Sequence, residues 1–233
     1  MVMRKASINI AHLGQTLTTA DFFEAMPGLP KPTVYSRIRQ LITSGEIKRV
    51  GRGVYERSDK AEFTVEITSQ MENIAKELSS QLPYIDMCVW DLSPINSLAQ
   101  HLINFNLCVV DVDHEAIEAV FEILRDTNER VLTTKRMFDA LADYDGYILV
   151  RKLVTDSPLT KKDDVTVPTL EKLLVDLACD KEFSLFQGYE IEHIFANACA
   201  QYVVNKNRLL RYAGRKNRRE RIEQLLTNNS STN

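Results

Sequence analysis

Thr33, Tyr35, Ser36, Arg39 and Gln40 fall on one side of a helical segment predicted to open near Pro32 or Thr33 and run through Thr43, with Arg37 on the flank. That side carries hydroxyls, an amide and guanidinium groups, and no acid. Such groups donate to phosphate oxygens and read base edges in a major groove. Glu46 to Tyr55 follows at once. It holds Lys48 and Arg49 in a predicted strand and Arg52 between two glycines. An arginine at such a tip can reach a minor groove or a phosphate. The candidate DNA contacts are therefore Thr33, Tyr35, Ser36, Arg37, Arg39, Gln40, Lys48, Arg49 and Arg52. The competing readings are a small helical domain used for protein contact and an ordinary solvated basic face.

Other residues could pass for chemistry. Asp111, Asp113, His114 and Glu115 crowd the end of a predicted strand, where sites in α/β layers often lie. A metal-dependent nuclease could use such carboxylates. No acidic-x-Lys follows on a neighbouring strand, so Asp113 is expected to cap a helix whose polar first turn the others line. Asp86 and Asp91 are a weaker case of the same kind, and His101 and His193 read as structural histidines. Cys88, Cys108, Cys179 and Cys199 each sit among apolar residues and outside any C-x-x-C pair, so buried free thiols are expected. No nucleophile-elbow, phosphate-loop or zinc-protease motif occurs, so no catalytic residue, metal or cofactor is expected. A late basic cluster, Arg215, Lys216, Arg218 and Arg219 with Arg221 beside it, suits nucleic-acid phosphates. It equally suits pairing with the acidic middle of the chain, gripping an RNA or binding an acidic partner.

The elements that must position these residues follow from periodicity. A short helix over Ser7–Leu13 and a second one capped by Thr18 or Thr19 precede the polar-faced helix. Val34, Ile38, Leu41 and Ile42 should pack inward from that third helix, and Gly45 should end it. Ile47–Val50, a Gly-Arg-Gly turn and Val54–Tyr55 read as a hairpin. Residues 1–60 are thus predicted to form a winged helix-turn-helix, with a polar junction at Ser58–Ala61. Residues 61–227 read as a larger α/β domain with a helical tail, α+β for the chain as a whole. Its strands are expected at 85–91, 107–112, 130–132 and 146–150, with 63–67 a strand or linker edge. Its helices are expected at 70–82, 94–103, 114–127 and 135–142, and the remainder should be mostly helical. Thr169 should cap a helix with Leu170, Leu173, Leu174 and Leu177 inward and Glu171 and Lys172 pointing elsewhere. Two final helices should break near Gly214, and residues 228–233 read as a disordered tail.

Charge sharpens this division. The chain of 233 residues carries a net charge of -3. Residues 1–57 carry +5, residues 58–204 carry -14 and residues 205–233 carry +6. A polyanion would be drawn to the ends and repelled by the middle. No apolar run is long enough to span a bilayer and no signal peptide is evident, so a cytoplasmic location without membrane contact is expected.

Pro32-Thr-Val-Tyr-Ser-Arg-Ile-Arg-Gln-Leu41, Arg49-Val-Gly-Arg-Gly-Val-Tyr55, Val89-Trp90 with His101, Ser157-Pro158, Pro168–Leu177 and Arg211-Tyr-Ala-Gly-Arg215 together carry a family likeness. The sequence resembles the AbiEi-type antitoxins of type IV toxin–antitoxin systems, over nearly its whole length. The resemblance implies an N-terminal DNA-binding domain that represses its own promoter. It also implies a C-terminal domain linked to neutralising a nucleotidyltransferase-type toxin encoded alongside, and it implies no catalysis. The runner-up is a nuclease-like α/β enzyme guided to DNA by the winged helix. The residues leave the oligomeric state open.

Overall fold

The computed structural model describes residues 14–103, 106–137 and 145–230. The helix expected over Ser7–Leu13 and the last part of the one expected at 135–142 lie outside them. The chain is a mixture of α and β structure and divides into two compact units, Met1–Ala61 and Glu62–Asn233.

In the first unit, β1 (Thr16–Thr18) leads into α1 (Thr19–Ala25), then α2 (Lys31–Ser44), β2 (Ile47–Gly51) and β3 (Val54–Arg57). Thr18 and Asp21 form a reciprocal capping box that fixes where α1 begins. α2 starts with Pro at an early position, where a missing N–H costs nothing, and ends on Gly45 in the left-handed region. β3 pairs antiparallel with both β1 and β2, giving the order β1-β3-β2. Leu17, Phe22, Met26, Val34, Ile38, Leu41, Ile47 and Tyr55 form the core beneath it. Ile42 departs from expectation and is 36% exposed. It lies about 80° round the helix from Val34, at the margin of the apolar stripe. Ser44 is buried instead, its hydroxyl donating to the Leu41 carbonyl and to Glu46.

The β2–β3 turn is tied to α1. The Gly53 carbonyl accepts from the Thr19 backbone N–H at 2.9 Å and from its hydroxyl at 3.3 Å. Gly53 has φ +74°, and a Cβ there would stand 3.0 Å from Thr19 Oγ1. Gly53→Ala therefore meets both a left-handed backbone penalty and a close contact. The expected result is a loss of about 1–2 kcal/mol in the first unit, read as a lower thermal midpoint. An unchanged midpoint would show that the turn relaxes freely.

The second unit holds a four-stranded sheet in the order β4-β5-β7-β6, from β4 (Met87–Asp91), β5 (Leu107–Val112), β6 (Val131–Thr133) and β7 (Tyr147–Lys152). β5, β6 and β7 run parallel, while β4 is an antiparallel edge. α3 (Ser69–Gln81) and α4 (Ile117–Thr127) bury apolar stripes, including the expected Val120, Phe121 and Leu124. The short α5 (Thr134–Met137) follows β6. α6 (Leu170–Cys179), α7 (Tyr189–Gln201), α8 (Lys206–Arg215) and α9 (Arg219–Ser230) complete the unit. Among the described residues no helix is long and apolar enough to cross a membrane.

Several expectations are corrected. Of the two readings of residues 63–67 the strand is not formed and the linker edge is, with Val65 buried and its carbonyl accepting from Lys162 Nζ. The helix expected at 94–103 is a 3-10 turn over Ser93–Ser97. Beyond it, side chains satisfy the backbone in place of a helical ladder: Asn96 accepts from Ile103 N, Glu190 from Gln100 N, and Asn197 donates to Leu98 O. The stretch before α6 is not helical. It forms a hairpin of β8 (Leu159–Lys162) and β9 (Val165–Pro168), turned by Asp163 and Asp164, both at positive φ. Asp tolerates that region because its short side chain bonds locally. Asp113 and Thr169 begin their helices without side-chain cap bonds. α8 runs through Gly214, and Asn217 at φ +55° makes the turn into α9. α9 extends to Ser230, into the segment expected to be disordered.

Candidate nucleic-acid interface

The core side of α2 is Val34, Ile38 and Leu41, so the opposite side is turned outward by helix geometry. Tyr35, Ser36, Arg39 and Gln40 are exposed there, and Thr33 and Arg37 are half-buried. Tyr35 packs edge-on against Phe23, with ring centroids 5.7 Å apart, which steadies its ring on the surface. Arg37 donates to Gln40 Oε1 at 3.3 Å. Arg39 has no partner among the described residues.

The hairpin divides its basic residues. Lys48 pairs with Glu56 at 3.0 Å, and that hydrogen bond and charge raise its pKa. Arg49 Nε donates to the Gly51 carbonyl at 3.0 Å, beside a bulge between Arg49 and Gly51. Arg52 is exposed at the turn with no partner among the described residues. Of the five cations among the nine predicted contacts, Lys48 is paired with an acid, Arg37 and Arg49 donate to neutral oxygens, and Arg39 and Arg52 have no partner among the described residues. Both belong to the first unit, one on the helix and one at the hairpin tip.

The late basic cluster does not present one uniform surface. Lys216 is removed from it, because its side chain is only 11% exposed and pairs with Asp176 at 2.7 Å and Asp180 at 2.5 Å. Arg215 pairs with Asp156, and Arg219 with Glu223 at 2.8 Å. Arg218 is exposed. Pairing with the acidic middle, one of the alternatives left open by the sequence, holds for Arg215 and Lys216, while Arg219 pairs within its own helix.

Lys216 belongs to a buried charge cluster that residue-by-residue reading missed. Arg151 on β7 bridges Asp111 Oδ1 at 2.5 Å, Asp176 at 2.5 Å and Asp180 at 2.7 Å. Lys172 bridges Asp111 at 2.7 Å and Asp176 at 2.6 Å. Trp90 Nε1 donates to Asp111 and the Tyr212 hydroxyl to Asp176. Register explains the meeting: Asp111 and Arg151 are paired on adjacent parallel strands, so their side chains share a face. Lys172 and Asp176 are one helical turn apart on α6, above that face. Three acids and three cations balance. Burial opposes the Lys172 ammonium, but Asp111 and Asp176 outweigh it and hold its pKa above the ordinary value. Burial likewise opposes the Asp176 carboxylate, and Lys172, Arg151 and Lys216 outweigh it and hold its pKa well below the ordinary value. At Asp180 burial and the charge of Asp176 prevail, and the pKa is raised.

Lys172 is thus fully buried rather than pointing elsewhere. Glu171 is buried too, accepting from the Asn205 N–H and from Thr169. Asp111 is enclosed by Arg151, Lys172 and Trp90, while Asp91 accepts from the Ser93 N–H. His101 is exposed and pairs with Glu190, and His193 is exposed. Among the described residues no group of three His, Cys, Asp or Glu is placed to hold a metal ion. Cys88 and Cys108 are buried, and burial pushes the Cys108 thiol up to about 12. Cys179 and Cys199 are only partly buried, against expectation, although burial still raises Cys179 to about 11. Thiols so shifted are poor nucleophiles at neutral pH.

No curated protein matches the chain. Residues 33–232 match the profile of a family of unknown function, DUF6577, a span that takes in most of α2, the hairpin and the whole charge cluster. The chain belongs to the family DUF6577.

Proposed function

We propose that this protein is a duplex-DNA-binding transcriptional regulator that acts through α2 and the β2–β3 hairpin, and that it is not an enzyme. One observation carries the reading: Arg39 on the outward side of α2 and Arg52 at the hairpin tip are both exposed and unpaired among the described residues. Unspent guanidinium groups beside hydroxyl and amide donors suit phosphate positioning and base readout. The likeness to AbiEi-type antitoxins extends the proposal. The regulated promoter is then the protein's own, the compartment is the cytoplasm, and the second unit counteracts a nucleotidyltransferase-type toxin encoded beside it. The nuclease alternative is disfavoured by Asp111, whose carboxylate is committed to Arg151, Lys172 and Trp90.

A gel-shift titration of the full chain against the duplex upstream of its own gene tests the DNA reading. Specific binding should survive excess unrelated duplex. The logarithm of its affinity should fall linearly with the logarithm of salt concentration, by about 0.9 per phosphate neutralised. No shift at low salt would overturn it. Co-expression with the product of the adjacent gene tests the antitoxin part separately: growth arrest by that product alone should be relieved by the full chain, and unrelieved arrest would remove the antitoxin role.

A further inference from the structure

A cavity of about 570 Å³ opens in the second unit at the carboxyl ends of the parallel strands. Thr133 closes β6 there, and Val150 and Lys152 come from the end of β7. Open α/β sheets bind ligands in this position, because strand ends and the loops after them leave a crevice between the covering helices. The volume is that of a small-molecule site. The loop after β7 adds Val154, and Ile117 of α4 and Tyr212 of α8 add further apolar wall.

The charges of the wall divide into spent and unspent. Arg151, Asp180 and Lys216 reach the cavity, but their mutual ion pairs already use them. Glu182 accepts from the Thr134 hydroxyl at 2.9 Å. Lys135 and Lys152 line the cavity and have no partner among the described residues. The Thr133 hydroxyl makes no hydrogen bond to the described residues although the residue is only 5% exposed. Glu118 and Glu182 are the acids left to oppose them, because the neutral Thr134 hydroxyl leaves the Glu182 charge in place. What lacks a match is donors: Lys135, Lys152 and the Thr133 hydroxyl have no acceptor among the described residues, and two ammoniums with a hydroxyl suit a ligand group with several acceptor oxygens and double negative charge.

We propose that this cavity binds a small organic phosphomonoester of about mononucleotide size. Its phosphate sits between Lys135, Lys152 and Thr133, and its less polar body lies against Ile117, Val150, Val154 and Tyr212. A phosphomonoester carries close to two negative charges at neutral pH and several acceptor oxygens. Lysine meets phosphate as a mobile point charge, without needing the fixed fork of arginine. The site requires no DNA and stands or falls apart from the duplex-binding proposal.

The test is calorimetry and thermal melting of the full chain with adenosine monophosphate and a panel of other nucleoside monophosphates and sugar phosphates. Adenosine and inorganic phosphate are the separate arms. At least one ester should saturate the protein and raise its melting temperature, with adenosine and inorganic phosphate each weaker by about tenfold or more. The Lys135→Ala/Lys152→Ala double variant alters side chains that have no partner among the described residues. It should keep the unliganded melting temperature and lose about tenfold or more in affinity. The proposal is overturned if no ester binds at millimolar concentration, if inorganic phosphate binds as tightly as the best ester, or if the double variant binds undiminished.

Discussion

Asp176→Ala should destabilise the second unit by about 3–5 kcal/mol, the range for removing one partner of a buried ion pair. Its carboxylate accepts from Lys172 and Arg151 on one oxygen, at 2.6 and 2.5 Å, and from Lys216 and Tyr212 on the other, at 2.7 and 2.9 Å. Alanine leaves Lys172, Arg151 and Lys216 with Asp111 and Asp180 as the remaining acids, so three cations face two acids in the cluster. Asp176→Asn keeps the shape and should recover little, because charge is what the site lacks. Denaturant melts read by Trp90, which is buried beside the cluster, give the measurement. If neither variant folds, Lys216→Met should still give a smaller, measurable loss, since Lys216 stands at the edge of the cluster. Arg219→Ala breaks only an exposed helical pair and should cost less than about 0.5 kcal/mol. Equal melting of Asp176→Ala and the unaltered chain would show the cluster to be energetically idle.

The same cluster fixes a pH dependence. The folded pKa of Asp176 is depressed below its unfolded value. Its contribution is therefore fully present above about pH 4 and is lost as pH falls through the folded value. Asp180 has the opposite sign. Its raised folded pKa means that ionisation opposes folding, so its own contribution improves as the pH falls toward and below that value. Acid unfolding of the second unit should accordingly be late, and Lys216→Met should bring it forward by removing a cation from Asp176.

The fold was legible where one local rule acted alone. The Thr18 cap, the Gly45 stop and the Val34, Ile38, Leu41 stripe needed only neighbouring residues. Leu107–Val112 reads as a buried strand because it is apolar on both faces apart from Asp111, and it is one. The β8–β9 hairpin carried a readable sign, the polar pair Asp163-Asp164 ahead of the β-branched run Val165-Thr-Val167, but the leucine-rich helix after it dominated the window. Residues 94–103 misled because Ile95, Leu98, Ala99, Leu102 and Ile103 have helical spacing, while the backbone beyond Ser97 finds side-chain partners as distant as Glu190 and Asn197. The charge cluster was hidden for a deeper reason. Arg151, Lys172 and Asp176 each look like a polar residue at the end or margin of an apolar element. Only strand register and helix placement show that they neutralise one another. On α2 the outward side followed from helix geometry alone, and the pairing of Lys48 with Glu56 did not, because it depends on cross-strand register.

Arg39→Ala combined with Arg52→Ala should nearly abolish specific duplex binding while leaving the first unit folded. Neither side chain has a partner among the described residues to lose, so the thermal midpoint should not move. The two arginines should fail differently. Loss of a base-reading arginine costs about 1–3 kcal/mol and relaxes selectivity at one position. Loss of a phosphate contact weakens all sequences alike and flattens the salt dependence by about one. Arg39 lies among Tyr35, Ser36 and Gln40 on the helix, so Arg39→Ala is expected to reduce discrimination between the operator and unrelated duplex. Arg52, at the tip of a two-strand turn, is expected to change the salt slope and leave discrimination nearly intact. Lys48→Ala should do little, because Glu56 already neutralises that ammonium. Fluorescence anisotropy at several salt concentrations, on operator and scrambled duplex, separates these terms. If the double variant binds both duplexes as the unaltered chain does, the outward side of α2 is a solvated charged surface and the DNA-binding proposal is lost.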